Sequence, residues 1–299
     1  MRITLIHNPL AGNQGEDEPK ALRKLLKAAG HEVRYRSAKD GDWKRALKKP
    51  AELVVIAGGD GTVGKVARRM VGRGLPLAIL PSGTANNIAR SLGLIDCSFE
   101  ALIRSWENAR RVKLDAGIAA GPWGERYFIE GIGAGLFANL LAEPRSERLK
   151  ERGAAVEAGL RRLREHALHS EPLEIAARLD GEDISGSYIL FEAINIAYIG
   201  PNLHLAQEGQ PGDGHFDVLM VSDAERERLM HYLEHWQENP ERISVLPSRR
   251  GRHLELEWTG FPLHIDDKLH PKPKSKPKEI AGVVEARIDG DAVEFLVPA

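Results

Sequence analysis

The sequence predicts an α/β N-terminal domain built on a parallel sheet, followed by a second domain of mostly antiparallel β-structure. Two observations support this division. In the first third of the chain, short apolar runs alternate with segments of helical periodicity, which is typical of a parallel sheet covered on both faces. Beyond about residue 112, strand-like runs follow one another with hairpin turns between them, which indicates antiparallel pairing.

The elements of the N-terminal domain follow from the spacing of its apolar residues. Apolar runs predict strands at residues 2–7, 33–36, 53–57 and 76–80. Apolar residues at helical spacing predict helices at residues 17–29, around 66–71, and from about 86 and 98 onward. Gly30, Gly72 and Gly93 follow three of these segments, as expected of residues that end helices.

The second domain is expected to contain several strands and two helices. Strands are predicted at residues 173–178, 187–198, 216–221, 253–258 and 293–297. Helices are predicted at residues 145–169, a segment rich in arginine, and at residues 223–238. Residues 271–278, with the sequence PKPKSKPK, are expected to form a solvated loop.

The composition bounds the class of protein. The chain has 299 residues, 42% of them hydrophobic and 28% charged, as in a globular protein large enough for two domains. The formal net charge of −1 gives no basic field that would recruit nucleic acid. One cysteine suits a reducing compartment, and no apolar stretch approaches the roughly 20 residues of a membrane span. We therefore expect a cytoplasmic protein that meets any membrane peripherally.

Two glycine-rich segments each follow a predicted parallel strand and precede a helix. They are residues 58–62, GGDGT, and residues 81–87, PSGTANN. Open α/β sheets bind ligands beyond the carboxyl ends of their strands, where glycine lets the backbone approach a phosphate and a helix N-terminus offers free amides. Asp60 would repel a phosphate unless a cation lies between them. This pattern indicates a magnesium–nucleotide complex.

Two other phosphate-binding motifs fit the first segment poorly. Gly59, Gly61 and Gly64 have the spacing of a dinucleotide-binding fingerprint, but the next strand ends without the acidic residue that holds the ribose. The same region approaches a P-loop, yet Val66 stands where a metal-binding serine or threonine belongs. The remaining alternative is that these glycines only connect a strand to a helix. The presence of two such segments on neighbouring strands argues against that alternative.

The chain closely resembles the diacylglycerol kinase catalytic family, which includes bacterial soluble lipid kinases and sphingosine kinases and has NAD kinases as distant relatives. The residues that carry the resemblance are Asn8-Pro9, Ser37, the GGDGT of residues 58–62, the GTANNIAR of residues 83–90, Leu114-Asp115 and the GIGAG of residues 131–135. The two longest segments stand in the order and spacing of the family's signatures.

The resemblance implies a fold and a division into domains. Residues 1–115 would form a nucleotide-binding domain similar to those of NAD kinases and phosphofructokinases, and residues 116–292 a β-sandwich substrate domain. The last strand, within residues 293–299, would return to the first domain. ATP would bind in the cleft between the two domains.

The resemblance also implies the site residues. The nucleotide would contact Asn8, Ser37, Gly58, Gly59, Asp60, Gly61, Thr62, Gly83, Thr84 and Asn86, with Asp60 orienting Mg²⁺ on the phosphates. A structural magnesium would lie at an Asp-Gly turn, held by the Asp213 side chain and the carbonyls of Gln210 and His215. An ordinary hairpin turn with a side-chain hydrogen bond is an equal alternative for Asp213.

Several positions depart from the family pattern. Gly64-Lys65 replaces Asn-Glu after the first signature, and Asn87 replaces an aspartate in the second. The family's Asp-Gly-Glu near the C-terminus, which is thought to supply the base, corresponds here to Asp266-Asp267-Lys268. We therefore expect Asp266 to act as the proton acceptor, with Asp267 as the second candidate. The alternative is an ordinary surface turn without a catalytic role.

The sequence thus predicts an ATP- and Mg²⁺-dependent lipid kinase acting on a diacylglycerol-like hydroxyl taken from a membrane surface. The alternatives are a catalytically silent relative that binds nucleotide or lipid, and a kinase of a soluble metabolite. Residues 145–169 and 271–278 are weighed as membrane-binding segments against plain solvated structure. No nucleic-acid partner is expected, and a homodimer is left open.

Overall fold

A computed structural model describes residues 1–11, 18–143, 152–206, 209–236, 246–271 and 281–299. The chain divides into two compact units. The first comprises Met1–Leu114, Leu149–Ala155 and Ala292–Ala299, and the second comprises Asp115–Arg148 and Val156–Asp291. The start of the expected arginine-rich helix and all but the first residue of the Pro-Lys segment lie outside the described residues.

The first unit alternates strands and helices as its apolar pattern predicts. Its elements are β1 (Arg2–His7), α1 (Glu18–Ala28), β2 (Glu32–Ser37), α2 (Trp43–Ala46), β3 (Leu53–Gly58), α3 (Asp60–Met70), β4 (Leu77–Pro81), α4 (Asn87–Ser91), α5 (Phe99–Ser105) and β5 (Arg110–Asp115). The later elements include β20 (Ala292–Val297), which joins the same sheet.

The six strands of the first sheet lie in the order β2-β1-β3-β4-β20-β5. The pairs formed by β1 with β2, β1 with β3, β3 with β4 and β4 with β20 are all parallel. Every residue of β3 and β4 is buried, which explains why these strands read as continuous apolar runs rather than as alternating patterns.

The second unit is dominated by strands. Its elements are β6 (Gly117–Gly121), β7 (Gly124–Phe128), β8 (Gly131–Gly135), α6 (Leu136–Ala142), α7 (Arg152–His169), β9 (Leu173–Leu179), β10 (Glu182–Asp183), β11 (Gly186–Ile194), β12 (Tyr198–Ile199), β13 (Leu203–His204), β14 (Phe216–Ser222), α8 (Arg226–His235), β15 (Ser248–Gly251), β16 (His253–Trp258), β17 (Leu263–Ile265), β18 (Lys268–His270) and β19 (Gly282–Arg287).

A twelve-stranded antiparallel sheet curls around one apolar core in this unit. Its main path runs β18-β17-β8-β11-β9-β16-β19-β6-β7, and β14 and β15 continue from β11. Side chains such as Phe191, Phe216 and Trp258 fill the enclosed core. The opposite face of β11 packs on a second cluster that includes Leu136, at the start of α6, and Leu163 of α7.

The predicted fold class is confirmed by this architecture. An α/β unit with a parallel sheet precedes a mostly antiparallel β unit, as the change of pattern near residue 112 indicated. None of the described helices is long and apolar enough to cross a membrane.

Candidate functional site

Both glycine-rich segments lie at the carboxyl edge of the first sheet. β3 ends at Gly58 and α3 begins at Asp60, and β4 ends at Pro81 shortly before α4. Gly58 is opposite Pro81 in the β3–β4 register, so the two strands end side by side. No described side chain caps the N-terminus of α3, where the Thr62 N–H donates to the Gly59 carbonyl at 2.8 Å and the helix dipole favours an anion.

The two loops touch through their backbones. A methyl carbon placed on Gly83 would lie 2.3 Å from the Cα of Gly59, and one placed on Gly59 would lie 2.8 Å from the Cα of Gly83. A methyl carbon on Gly58 would lie 2.9 Å from the Cβ of Thr62. A side chain at Gly59 or Gly83 would push the two loops apart, and one at Gly58 would clash with Thr62 of its own loop.

Asn86 closes the second loop on itself. Its side-chain oxygen accepts the N–H of Gly83 at 2.8 Å, and its side-chain nitrogen donates to the Gly83 carbonyl at 2.8 Å. The residue adopts a left-handed conformation with φ of 56°, which asparagine tolerates better than most side chains. Thr84, which follows Gly83, is exposed at the rim of this closed loop.

The Asp60 carboxylate links the first loop to the second. Its Oδ1 accepts the N–H of Ile88, at the start of α4, at 2.9 Å. Burial raises the pKa of Asp60, and the hydrogen bonds from backbone amides at the start of α4 oppose that shift. The carboxylate is therefore held against a helix N-terminus, where a negative charge is favourable.

A small pocket opens beside the first loop, with a volume of about 40 Å³. Its lining consists of Ile6, Asn8, Ala38, Lys39, Trp43, Thr62, Lys65 and Val66. Asn8 donates from its side chain to the Thr62 hydroxyl at 3.2 Å. The pocket thus joins an aromatic and aliphatic wall to two lysines and two hydrogen-bonding side chains.

Ser37 shapes the edge of this pocket. It is the last residue of β2, and its hydroxyl accepts the N–H of Lys39 at 3.1 Å. Its own N–H donates to the Asp40 carboxylate at 3.2 Å. These hydrogen bonds hold the turn that carries Lys39 to the pocket.

The Asp213 turn in the second unit is satisfied by its own surroundings. The carboxylate of Asp213 accepts the N–H groups of Gln210 and His215, each at 3.0 Å, and the Arg250 guanidinium donates to it at 2.6 Å. The Gln210 carbonyl accepts the N–H of Asp213 at 3.3 Å. The binding of Mg²⁺ by Asp213, Gln210 and His215 stays a prediction, and the Arg250 guanidinium is the cationic group that the structure places at this carboxylate.

Asp115, at the end of β5, is tied to the same turn. Its Oδ2 accepts the N–H of Gly214 at 2.7 Å. Burial raises the pKa of Asp115, the hydrogen bond from Gly214 lowers it, and the nearby Asp213 carboxylate adds to the rise. The Leu114-Asp115 motif therefore anchors the Asp-Gly turn rather than standing alone.

The Asp266 turn joins β17 to β18. Asp266 has a φ of 49°, and its carboxylate Oδ1 accepts the N–H groups of Ile129, Glu130 and Gly131 at 3.1, 2.8 and 3.3 Å. Asp267 pairs with Lys268, whose Nζ lies 2.7 Å from its Oδ2. The Asp266 carboxylate therefore faces the inside of the second unit and ties the turn to the segment that leads into β8.

Comparison with known proteins bears on the site directly. Residues 2–119 match the model of the diacylglycerol kinase catalytic domain, and this match contains both glycine loops. The matched segment spans most of the first unit and is similar to this catalytic domain. A diacylglycerol kinase of Mycobacterium tuberculosis is 27% identical over 292 residues, which cover 89% of this chain and 88% of the relative. A diacylglycerol kinase of Staphylococcus carnosus is 26% identical over 240 residues, or 78% and 76% of the two chains.

Solved structures share the fold. A crystal structure of a diacylglycerol kinase from Bacillus anthracis matches with a TM-score of 0.68 and 17% identity, covering 99% of this chain and 96% of that one. The yeast NADH kinase in complex with NADH matches with a TM-score of 0.50 and 10% identity, covering 100% and 84%. At these identities the likeness concerns the fold alone.

The family signatures of the first unit converge in space, as parallel strands require. The residues at or beside the glycine loops are Asn8, Gly58, Gly59, Asp60, Gly61, Thr62, Gly83, Thr84 and Asn86. Two buried residues, Glu192 and His264, were missed by sequence reasoning. A charged residue within the apolar run of residues 189–194 was the signal that could have drawn attention to Glu192.

Proposed function

We propose that this protein is an ATP-dependent kinase that transfers the γ-phosphate to a lipid hydroxyl of the diacylglycerol type. The observation that carries the proposal is the backbone contact between Gly59 and Gly83. It brings two glycine loops and the uncapped N-terminus of α3 to one edge of a parallel sheet, which is where such folds bind phosphates. The family match over residues 2–119 supports the same function.

Phosphoryl transfer needs positioning and charge neutralisation more than a strong base. In our proposal the α3 amides hold the phosphates, and Lys39 and Lys65 at the pocket contribute positive charge. Asn8 and Thr62 offer hydrogen-bonding groups at the same pocket. Mg²⁺ bound with the nucleotide would supply the remaining neutralisation when present.

Asp60 is assigned a different role from the one expected from sequence. Its carboxylate already accepts the Ile88 N–H, and the residue is half-buried. A magnesium ligand needs a carboxylate oxygen directed at the ion, so the hydrogen bonds of Asp60 favour a role in fixing the second loop relative to the first.

The lipid as acceptor, and the turn at residues 266–268 as source of the proton acceptor, rest on the family resemblance. The relatives from Mycobacterium and Staphylococcus carry the name diacylglycerol kinase. A catalytically silent nucleotide-binding protein is the second candidate, because the Asp266 carboxylate is engaged by amides and Lys268 stands where a base is expected. In either case we propose peripheral association with a membrane.

A turnover experiment separates these candidates. Purified protein is incubated with radiolabelled ATP, Mg²⁺ and phosphatidylcholine vesicles containing diacylglycerol, and the lipid extract is examined for label. Nucleotide binding is measured in parallel by calorimetry. Labelled lipid supports the kinase, and ATP binding without any product supports the silent relative. A protein that binds no nucleotide would overturn both readings, and vesicles lacking diacylglycerol serve as the control.

A further inference from the structure

A histidine and two glutamates gather on the outer face of the second unit, and we call them the His-Glu-Glu cluster. His253 and Glu255 are two positions apart on β16, and Glu285 lies opposite Glu255 on the neighbouring strand β19. One imidazole nitrogen and one oxygen of each carboxylate all lie within 4.8 Å of one another. In the parts of the chain that the structure describes, no other three residues among His, Cys, Asp and Glu come this close.

The alternation of the strands places the cluster on one face. Successive residues of a strand point to opposite faces of a sheet. Leu254 of β16 and Val284 of β19 are buried in the enclosed core, so the residues on either side of them face outward. All three members of the cluster are half-buried. The ligand atoms therefore meet on the surface of the sheet, where an ion can reach them from solvent.

The backbone beneath the cluster is held on both sides. β16 pairs with β9 along one edge and with β19 along the other. The N–H of His253 donates to the Asp180 carboxylate at 2.9 Å, and the His253 carbonyl accepts the N–H of Asp180 at 2.8 Å. Side chains carried by paired strands are positioned more precisely than side chains on loops.

The two carboxylates of the cluster face each other without a described counter-charge. Like charges directly opposite each other destabilise a sheet. Arg178 is opposite Glu255 on β9, but no ion pair joins these two side chains in the described structure. Arg287 of β19 is paired with Glu125 and Asp289 instead, at 2.8 and 2.7 Å. A cation bound between the two glutamates would remove their repulsion.

The donor atoms of the cluster select the kind of cation. Mg²⁺ and Ca²⁺ take oxygen ligands, whereas imidazole suits transition-metal ions such as Zn²⁺. Zn²⁺ accepts both imidazole nitrogen and carboxylate oxygen, and three protein ligands leave it a position for water. Two ionised carboxylates also balance its two positive charges. The cluster therefore matches Zn²⁺ in donor type, in number and in charge.

We propose that His253, Glu255 and Glu285 form a Zn²⁺ site that links β16 to β19 and keeps one coordination position open to water. The ion is held by a neutral imidazole and two ionised carboxylates, the forms in which these side chains bind metals. Because the three ligands are brought together only when β16 and β19 pair, Zn²⁺ binding stabilises the folded second unit. The inference is independent of the proposed kinase function.

A calorimetric titration identifies the ligands. Protein freed of metal with a chelator and dialysed into excess Mg²⁺ is titrated with Zn²⁺. We expect saturable binding that His253→Gln, Glu255→Gln and Glu285→Gln each weaken by at least about 10-fold, since loss of an outer-shell partner alone costs about 10–100-fold. Glu257→Gln is the matched control and should bind as the wild type does, because Glu257 is the next outward residue of β16 but lies outside the cluster.

A second control concerns the other histidines exposed on this unit. The rings of His231 and His235 on α8 have centroids 4.8 Å apart, and such a pair could bind Zn²⁺ by itself. His231→Gln should leave the affinity of the cluster unchanged. The proposal is overturned if the wild type binds no Zn²⁺, if Glu257→Gln weakens binding as much as Glu255→Gln does, or if His231→Gln removes all binding.

Urea unfolding provides a readout that a merely structural role of these side chains would not reproduce. Zn²⁺ should raise the wild-type midpoint, because the ion binds the folded protein in preference to the unfolded chain. Without Zn²⁺, Glu285→Gln should be at least as stable as the wild type, because one of the two facing charges is gone. With Zn²⁺, the same variant should gain no stability. A wild-type midpoint that Zn²⁺ leaves unchanged, or an equal rise in Glu285→Gln, overturns the site.

Discussion

Replacement of Gly83 by alanine tests the contact on which the nucleotide site depends. The new methyl carbon would lie 2.3 Å from the Cα of Gly59 and 2.8 Å from Oδ1 of Asn86. Non-bonded carbon atoms rest at about 3.5–4.0 Å, so the two loops must separate by about 1 Å or more. Neither neighbour can turn aside, because one is backbone and the other accepts the Gly83 N–H.

Two effects of Gly83→Ala are expected. Overpacking of a close contact costs about 1–3 kcal/mol of the free energy of unfolding. Displacement of the phosphate-binding amides by about 1 Å lowers kcat by about 100-fold, because transfer depends on alignment of the reacting groups. ATP affinity should fall as well, because the amides of the first loop would be displaced relative to those of the second loop.

The assay combines urea unfolding, calorimetry with ATP and the vesicle assay. Gly153→Ala is the matched control, because Gly153 lies in α7 and a methyl group there meets nothing within 4 Å. Alanine in a helix is favoured over glycine by about 1 kcal/mol, so the control should be at least as stable as the wild type. A Gly83→Ala protein with wild-type stability and wild-type ATP affinity would refute the loop contact.

Three further predictions concern charged side chains. Asp60→Asn should retain most ATP affinity, because its side-chain oxygen can still accept the Ile88 N–H of the second loop. Asp60→Ala should lower the free energy of unfolding by about 1–3 kcal/mol, because it leaves that N–H without an acceptor. Equal loss of turnover in both variants, with stability intact, would instead indicate that Asp60 is a metal ligand. Lys65→Gln should raise the KM for ATP, because Lys65 lines the pocket. Lys27→Gln is the control and should leave this KM unchanged, because Lys27 lies on α1 and does not line the pocket. Equal KM values in the two variants would show that Lys65 does not contact the nucleotide. Burial is the largest single influence on the pKa of His264 and lowers it, but attraction and hydrogen bonding to Glu192, together with Asp266, raise the pKa above its ordinary 6.5. The stabilising contribution of the charged imidazole is therefore complete below pH 6.5 and lost as pH rises through the folded-state pKa. Urea midpoints that do not fall from pH 6 to pH 9 would contradict this.

The parallel sheet and the glycine loops could be predicted from local pattern. The buried strands β1, β3 and β4 are short apolar runs, and each glycine loop follows such a run directly in sequence. Because parallel strands end at a common edge, loops that follow them are expected at the same edge of the sheet. The second unit was predicted only in outline, since hairpin turns mark individual strands but do not fix their order in a curled sheet.

The partners of the buried carboxylates could not be predicted in this way. Asp60 accepts an amide 28 residues away, and Asp266 accepts amides more than 130 residues away. Sequence reasoning therefore placed Asp60 with a metal and Asp266 with a substrate proton, because an aspartate in a functional motif is most simply read as facing the ligand. Both assignments remain predictions, and the hydrogen bonds of both residues favour roles in fixing loops.

By itself, the sequence determined where this protein has strands, helices and glycine loops, because those features depend on periodicity and on residues adjacent in the chain. Only the tertiary structure decided which carboxylate oxygens accept hydrogen bonds from the rest of the protein. Glu192 and His264 are 72 positions apart and meet only because Gly133 stands between them in the sheet register. Contacts of this kind depend on the pairing of distant strands, and that pairing is set by the packing of the whole unit rather than by any local run of residues.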